Sequence, residues 1–225
     1  MNYYNTHSVS PLIIAHNKDQ TREINGDEFN QQIQKVVKIL QGFSGKGIAY
    51  KLDNTPAWLV IDAATAVSNK VAVPIAHFFS EQQTQYVLVQ CGANLFISDT
   101  LNHLLEEPVA SITVFELYTL YIYEIVVAKP NSYFPETQKV TFTSGSTGQP
   151  KGVCLSAKSQ MQVAQSLCDK INIKKPVHLC LLPLAVLLEN IAGVYAPLKS
   201  GGTVHLIPLN ELGFVGTALK QPAHM

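Results

Sequence analysis

Between Gly47 and Ile97 the chain alternates short apolar runs with helix-patterned segments, and this alternation restricts the fold more than any other feature. Gly47 to Leu52 reads as a strand. Thr55-Pro56 opens a helix with proline at a tolerated first-turn position, and that helix runs to about Ser68 with Trp58, Ile61, Ala64 and Thr65 on one side. Val71 to Pro74 is a short buried strand. Ser80 caps the next helix, with Glu81, Gln82 and Gln83 in its first turn. Asn94 to Ile97 is again a strand, and Thr100 to Glu106 reads as a short helix. Strand and helix in regular succession predict an α/β fold of three layers, with a mostly parallel sheet covered by helices.

The flanks fit the same scheme. Leu12 to Ala15 is a strand candidate followed by a polar turn, His16 to Thr21. Phe29, Ile33, Val36, Val37 and Leu40 share one helical face, with Asn25 or Asp27 at its start and Gly42 at its end. Val109 to Ala128 is rich in tyrosine and β-branched residues and is interrupted by Glu116 and Glu124. It reads as paired strands with a turn, with a lipid-facing surface as the second reading. Ala157 to Asp169 is a helix with Met161, Ala164, Leu167 and Cys168 toward a core. Val177 to Leu182 reads as a buried strand. A helix then continues to Lys199, Ser200-Gly201-Gly202 turns it, and Thr203 to Ile207 is a strand. Pro208 to Met225 shows no pattern.

The chemistry concentrates in Thr141 to Val153, Thr-Phe-Thr-Ser-Gly-Ser-Thr-Gly-Gln-Pro-Lys-Gly-Val. Gln138 to Phe142 enters this loop as a strand, and Val153-Cys154-Leu155 leaves it as another. Gly145 and Gly148 permit φ > 0 and close approach to a ligand. Thr143, Ser144, Ser146 and Thr147 offer hydroxyls as well as amides, and Lys151 adds a mobile positive charge. Many donors with no acidic residue suit a polyphosphate. The Walker A pattern, G-x-x-x-x-G-K-[ST], does not fit: Pro150 stands where its second glycine belongs, Gly152 follows Lys151, and a strand replaces the helix that should follow.

The loop matches T-S-G-S-T-G-x-P-K-G-V at every fixed position, and so resembles the phosphate loop of the adenylate-forming enzymes: acyl-CoA synthetases, luciferases and peptide-synthetase adenylation domains. "LDNTPAW", "VAVPI" and "FSEQQTQYVLVQCGANLFISD" resemble further segments of the same family. Asn69 stands where that family usually has glycine after a helix; both residues tolerate the left-handed conformation needed there. Leu182 to Glu189 resembles L-P-L-[AS]-H-x-x-E of the long-chain acyl-CoA synthetases, with Val186 in place of histidine. Val186 cannot titrate near neutral pH, so either the pocket takes an apolar acyl chain or the site has drifted. Glu189 reads equally as a solvated helix residue or as part of that pocket.

The resemblance implies a fatty acid–CoA ligase that uses ATP, Mg²⁺ and coenzyme A, forms an acyl-adenylate and passes the acyl group to the thiol. It assigns ATP phosphate binding to Thr143, Ser144, Gly145, Ser146, Thr147, Gly148 and Lys151, and the acyl pocket to Val186 and Glu189. It assigns no catalytic residue within this chain, because the family's catalytic lysine lies in a C-terminal lid domain. Residues 1–207 then correspond to part of the large N-terminal domain, with 208–225 as a tail, and the stretch alone is expected to be inactive. A non-catalytic nucleotide- or phosphate-binding module built on the same half-fold is the alternative.

Sixteen basic residues balance sixteen acidic ones, with no basic run, so nucleic acid is not an expected partner. The expected partner is a fatty acid or other carboxylate. A composition 47% hydrophobic and only 14% charged allows a large core and predicts self-association through a face left exposed by truncation. Cys91, Cys154, Cys168 and Cys180 form no C-x-x-C pair, which argues against a cysteine-built metal or disulfide framework and for a reducing, cytoplasmic setting. No apolar run is long enough to span a bilayer.

Overall fold

The computed structural model describes residues 11–18, 20–102, 105–126, 133–143 and 149–212. Its centre is a seven-stranded sheet. Four strands form its parallel middle: β3 (Gly47–Lys51), β4 (Val71–Pro74), β5 (Leu95–Ser98) and β8 (Thr137–Thr143), in the order β5-β3-β4-β8. A hairpin of β6 (Ala110–Val114) and β7 (Tyr118–Glu124) adds antiparallel to β5, and β9 (Lys151–Ser156) adds antiparallel to β8. The predicted α/β class and the mostly parallel arrangement of the central strands are therefore what is observed.

Successive side chains of a strand point to opposite faces, and here the two faces feed two cores. Ile48, Tyr50, Leu95 and Ile97 join the core that also holds α1 (Gly26–Gln41) and α2 (Pro56–Val67). Ala49, Val71, Val73 and Phe96 join the other, with Val87, Leu88 and Cys91 of α3 (Glu81–Cys91). This is the three-layer arrangement. The α1 residues Phe29, Ile33, Val36, Val37 and Leu40 are all buried, as their spacing predicts. In α2 the whole run Pro56 to Thr65 is buried, so the helix has no wet side within that stretch.

The caps follow from the sequence. The Asn25 side chain accepts from the Glu28 N–H at 2.9 Å. Ser80 and Gln83 form a reciprocal capping box, side chain to backbone in both directions. Asn69 sits at φ 54°, in the left-handed region that the replaced glycine would occupy.

Three expectations are corrected. First, Gln20–Ile24 is a strand, β2, which pairs with β1 (Ile13–Asn17), so the turn between them is shorter than the predicted His16 to Thr21. These two strands belong to a second, four-stranded sheet of order β10-β11-β1-β2, with β10 (Val177–Cys180) and β11 (Thr203–Leu206). Only Ile24 of β2 is buried, so the strand lacks the apolar alternation that would announce it. Second, β10 is an edge strand with Val177 and Leu179 exposed, not a buried one. Third, the described residues between Thr100 and Glu106 form no helix.

After β9, α4 (Ala157–Ile171) packs through Met161, Ala164, Leu167 and Cys168, as their shared face predicts. The predicted helix up to Lys199 is interrupted in kind: Glu189–Tyr195 is a π-helix that passes into α5 (Ala196–Lys199). Gly201 then turns the chain at φ 72°. Beyond β11, Leu209 is buried. No helix among the described residues is long and apolar enough to cross a membrane.

Candidate functional site

The β8–β9 hairpin brings the two ends of the hydroxyl-rich loop together. Thr143 and Lys151 are its last paired positions, and both are exposed. Ser144, Gly145, Ser146, Thr147 and Gly148 lie outside the described residues. Pro150, just before Lys151, is buried and holds the return of the chain. Thr143 ends a strand that runs parallel to β4, and ligands of open α/β sheets bind beyond such carboxyl ends. A groove of about 350 Å³ opens beside the hairpin, lined by Tyr86, Gln90, Tyr133, Phe142, Lys151 and Cys154 among others. A larger cleft of about 690 Å³ is lined by Lys51, His77, Phe79, Ser98 and Asp99. Of the two, only the first is lined by residues of the hairpin.

Around the first half of β8 lies a buried polar cluster that sequence reasoning missed. Lys139, on β8, is 1% exposed, and its ammonium meets the Asp62 carboxylate of α2 at 2.7 Å. Its other donors reach Asn190 Oδ1 at 2.6 Å and the Tyr195 hydroxyl at 2.8 Å, both on the π-helix. Tyr50 donates to Asp62 Oδ1 at 2.6 Å, and Tyr195 donates to its Oδ2. Burial pushes the Lys139 pKa down while Asp62 pulls it back up. Burial remains the larger influence, while three acceptors, one of them the Asp62 carboxylate, oppose it by favouring the ammonium. The cluster therefore ties β8 to α2 and to the π-helix.

A second fastening joins two segments that the sequence singles out separately. Asn54, in "LDNTPAW", is buried; its amide donates to the Leu182 carbonyl at 2.8 Å, and its Oδ1 accepts from the Leu184 N–H at 2.9 Å. The neighbouring Asp53 accepts from the Leu209 N–H at 2.8 Å, and its own N–H donates to Asp99 at 2.7 Å. The strand-to-helix turn after β3 thus grips the stretch that leads to Val186. Ala185 of that stretch and Phe142 of β8 pack against the same core.

Val186 is half-buried. Glu189 is buried, which corrects the solvated-residue reading, and it pairs with His178 Nε2 at 2.9 Å. Burial, then the Glu189 charge, push the Cys180 thiol up. All four cysteines are free thiols.

The model of the AMP-binding enzyme family matches residues 7–219. Among curated proteins, the chain is 22% identical over 254 residues to the long-chain-fatty-acid–CoA ligase ACSBG2 of Homo sapiens, covering 96% of this chain and 38% of that protein. It is 24% identical over 174 residues to the peroxisomal long chain acyl-CoA synthetase 6 of Arabidopsis thaliana, covering 64% and 25%. The chain therefore spans well under half the length of these curated relatives. Among solved structures, it is similar to the o-succinylbenzoate coenzyme A synthetase of Bacillus subtilis in complex with ATP and magnesium ion. There the TM-score is 0.66 at 18% identity, covering 88% of this chain and 53% of that one. A fatty acyl-adenylate ligase from L. pneumophila, in complex with acyl adenylate and pyrophosphate, gives a TM-score of 0.69 at 17% identity, covering 89% and 37%. At these identities the structures establish a shared fold.

Proposed function

This chain belongs to the AMP-binding enzyme family, and on that footing we propose that it is the phosphate-holding part of an ATP-dependent carboxylate–CoA ligase. The observation that carries the reading is the pairing of Thr143 with Lys151 at the mouth of the β8–β9 hairpin. A carboxylate oxygen attacks the α-phosphorus of MgATP; the bond from that phosphorus to the bridging oxygen breaks, and pyrophosphate leaves. The acyl-adenylate then gives its acyl group to the sulfur of coenzyme A, and AMP leaves. Phosphoryl chemistry of this kind depends on positioning and charge neutralisation. The Thr143 hydroxyl and the hydroxyls and amides of residues 144–148 donate to the departing phosphates, and Lys151 offsets their charge. Val186, apolar where the resembling segment has histidine, favours a fatty acid as the carboxylate.

The test is the binding of MgATP and of pyrophosphate, followed by phosphorus NMR line broadening. A charge-assisted hydrogen bond contributes roughly 1.5–3 kcal/mol, so Lys151→Ala is expected to weaken both ligands by about tenfold to a hundredfold. Equal broadening in wild type and variant would remove Lys151 from the phosphate site. Carboxylate-dependent exchange of labelled pyrophosphate into ATP separates ligase from passive binding module, and a panel of fatty acids reads the acyl preference.

The β10 edge bears on partners. Val177 of β10 is 72% exposed, Leu179 43%, and Leu181, just past its end, 50%. Apolar side chains concentrated along an unpaired edge are an association surface. The chain is expected to self-associate there, with a light-scattering mass that rises with concentration and falls on Leu181→Lys. A constant monomer mass would overturn this.

A further inference from the structure

His178 and Cys180 stand two residues apart on β10 and so project from the same face of the strand. Glu189, the first residue of the π-helix, meets them there. His178 Nε2 and Glu189 Oε1 are 2.9 Å apart, and Cys180 Sγ completes a set of three ligand atoms lying within 4.8 Å of one another. Gly193, one turn along the π-helix, makes room for the set. A Cβ there would stand 2.6 Å from Glu189 Oε1 and 2.7 Å from His178 Nε2. Cys180 is fully buried and the Glu189 side chain is 8% exposed, whereas the His178 side chain is 35% exposed and opens the cluster to solvent.

We propose that His178, Cys180 and Glu189 bind one zinc ion, with solvent as the fourth ligand on the His178 side. An imidazole nitrogen, a thiolate sulfur and a carboxylate oxygen are the three donor types zinc accepts. Tetrahedral bonds of its usual lengths set such ligands about 3.3–3.6 Å apart. The observed cluster reaches that spacing by a widening of the 2.9 Å His178–Glu189 contact and an approach of Cys180 from no more than 4.8 Å. On coordination the Cys180 sulfur gives its proton to solvent, and the Nε2 lone pair, freed by a shift of the ring proton to Nδ1, faces the metal. A thiolate ligand selects against Mg²⁺, so the site is separate from the magnesium that accompanies ATP. Its effect is to clip the edge strand β10 to the π-helix, whose next residue, Asn190, holds Lys139.

The test titrates the reduced chain with Co²⁺ as a spectroscopic stand-in for zinc. The expected result is a near-ultraviolet sulfur-to-cobalt band and intense visible bands of tetrahedral type, saturating at one equivalent and erased by one equivalent of Zn²⁺. Cys180→Ser is expected to abolish the sulfur band. His178→Gln, at a position exposed enough to spare the fold, is expected to weaken binding at least tenfold. Loss of even an outer-shell partner commonly weakens metal binding by about that much. Gly193→Ala, which places a methyl group between the ligands, is expected to do the same. Cys154→Ser, at an exposed thiol on β9, should leave the cobalt bands as they are. The proposal is overturned if no band appears at one equivalent, if the band survives His178→Gln undiminished, or if Cys154→Ser removes it.

Discussion

Lys139→Met is expected to lower the unfolding free energy by about 3–5 kcal/mol, the usual loss when one member of a buried ion pair is deleted. The variant leaves the Asp62 carboxylate 2% exposed without its counter-charge, and it removes donors from Asn190 and from the Tyr195 hydroxyl. Methionine fills most of the lysine's volume, so the loss reads electrostatics more than a cavity. The double variant Asp62→Leu/Lys139→Met removes both charges and is expected to recover most of the stability, because uncharged residues of similar volume often replace a buried pair without loss. Urea unfolding of the wild type, the two single variants and the double variant gives the coupling directly. A single-variant loss under about 1 kcal/mol would mean that the pair carries no more than an exposed one.

Asn54→Ala is the second large effect. It leaves the buried Leu184 N–H without its partner, at about 1–3 kcal/mol, and takes a donor from the partly buried Leu182 carbonyl, at about 0.5–1.5 kcal/mol, or roughly 1.5–4.5 kcal/mol in sum. The loss is local in origin. Amide exchange at Leu184 should accelerate well beyond what the global loss of stability accounts for, while the centre of α2 follows global unfolding. Unchanged protection at Leu184 would show that its N–H does not depend on Asn54. Because Asn54 also positions the stretch leading to Val186, the variant links stability to the proposed acyl site.

What the sequence disclosed follows from how each signal arises. The parallel strands were legible because burial on both faces makes them near-continuous apolar runs, as in Gly47 to Leu52 and Val71 to Pro74. The caps at Asn25 and Ser80 were legible because capping chemistry is local. Strand β2 was not, because Gln20 to Glu23 are held at a sheet edge by backbone bonds that any side chain allows. Burial of β10 was over-read because an apolar run cannot state whether a neighbour covers it. At the site, the two ends of the phosphate loop were visible as a motif, and the structure sets Thr143 opposite Lys151. The Lys139 cluster was overlooked although it left a trace. Asp62 is a lone acid in the apolar stretch Trp58 to Ala66, and Lys139 a lone base in a strand that buries its neighbours. That these two charges pair with each other, and that Asn190 and Tyr195 complete the cluster, depends on contacts 51 to 133 residues apart, beyond the reach of local pattern.

The parallel pairing of β1 with β11 has a consequence for the order in which the molecule is made. Ile13 lies beside Val204, so β1 takes its place between β2 and a strand that follows it by about 190 residues. At a synthesis rate of roughly 5–20 residues per second, the hairpin of β1 and β2 waits about 10–40 s for that partner. During this interval Ile13 and Ala15 have only the hairpin and whatever of α1 and α2 has collapsed to shield them. The small sheet thus closes as a late event, after the larger sheet already has its central strands.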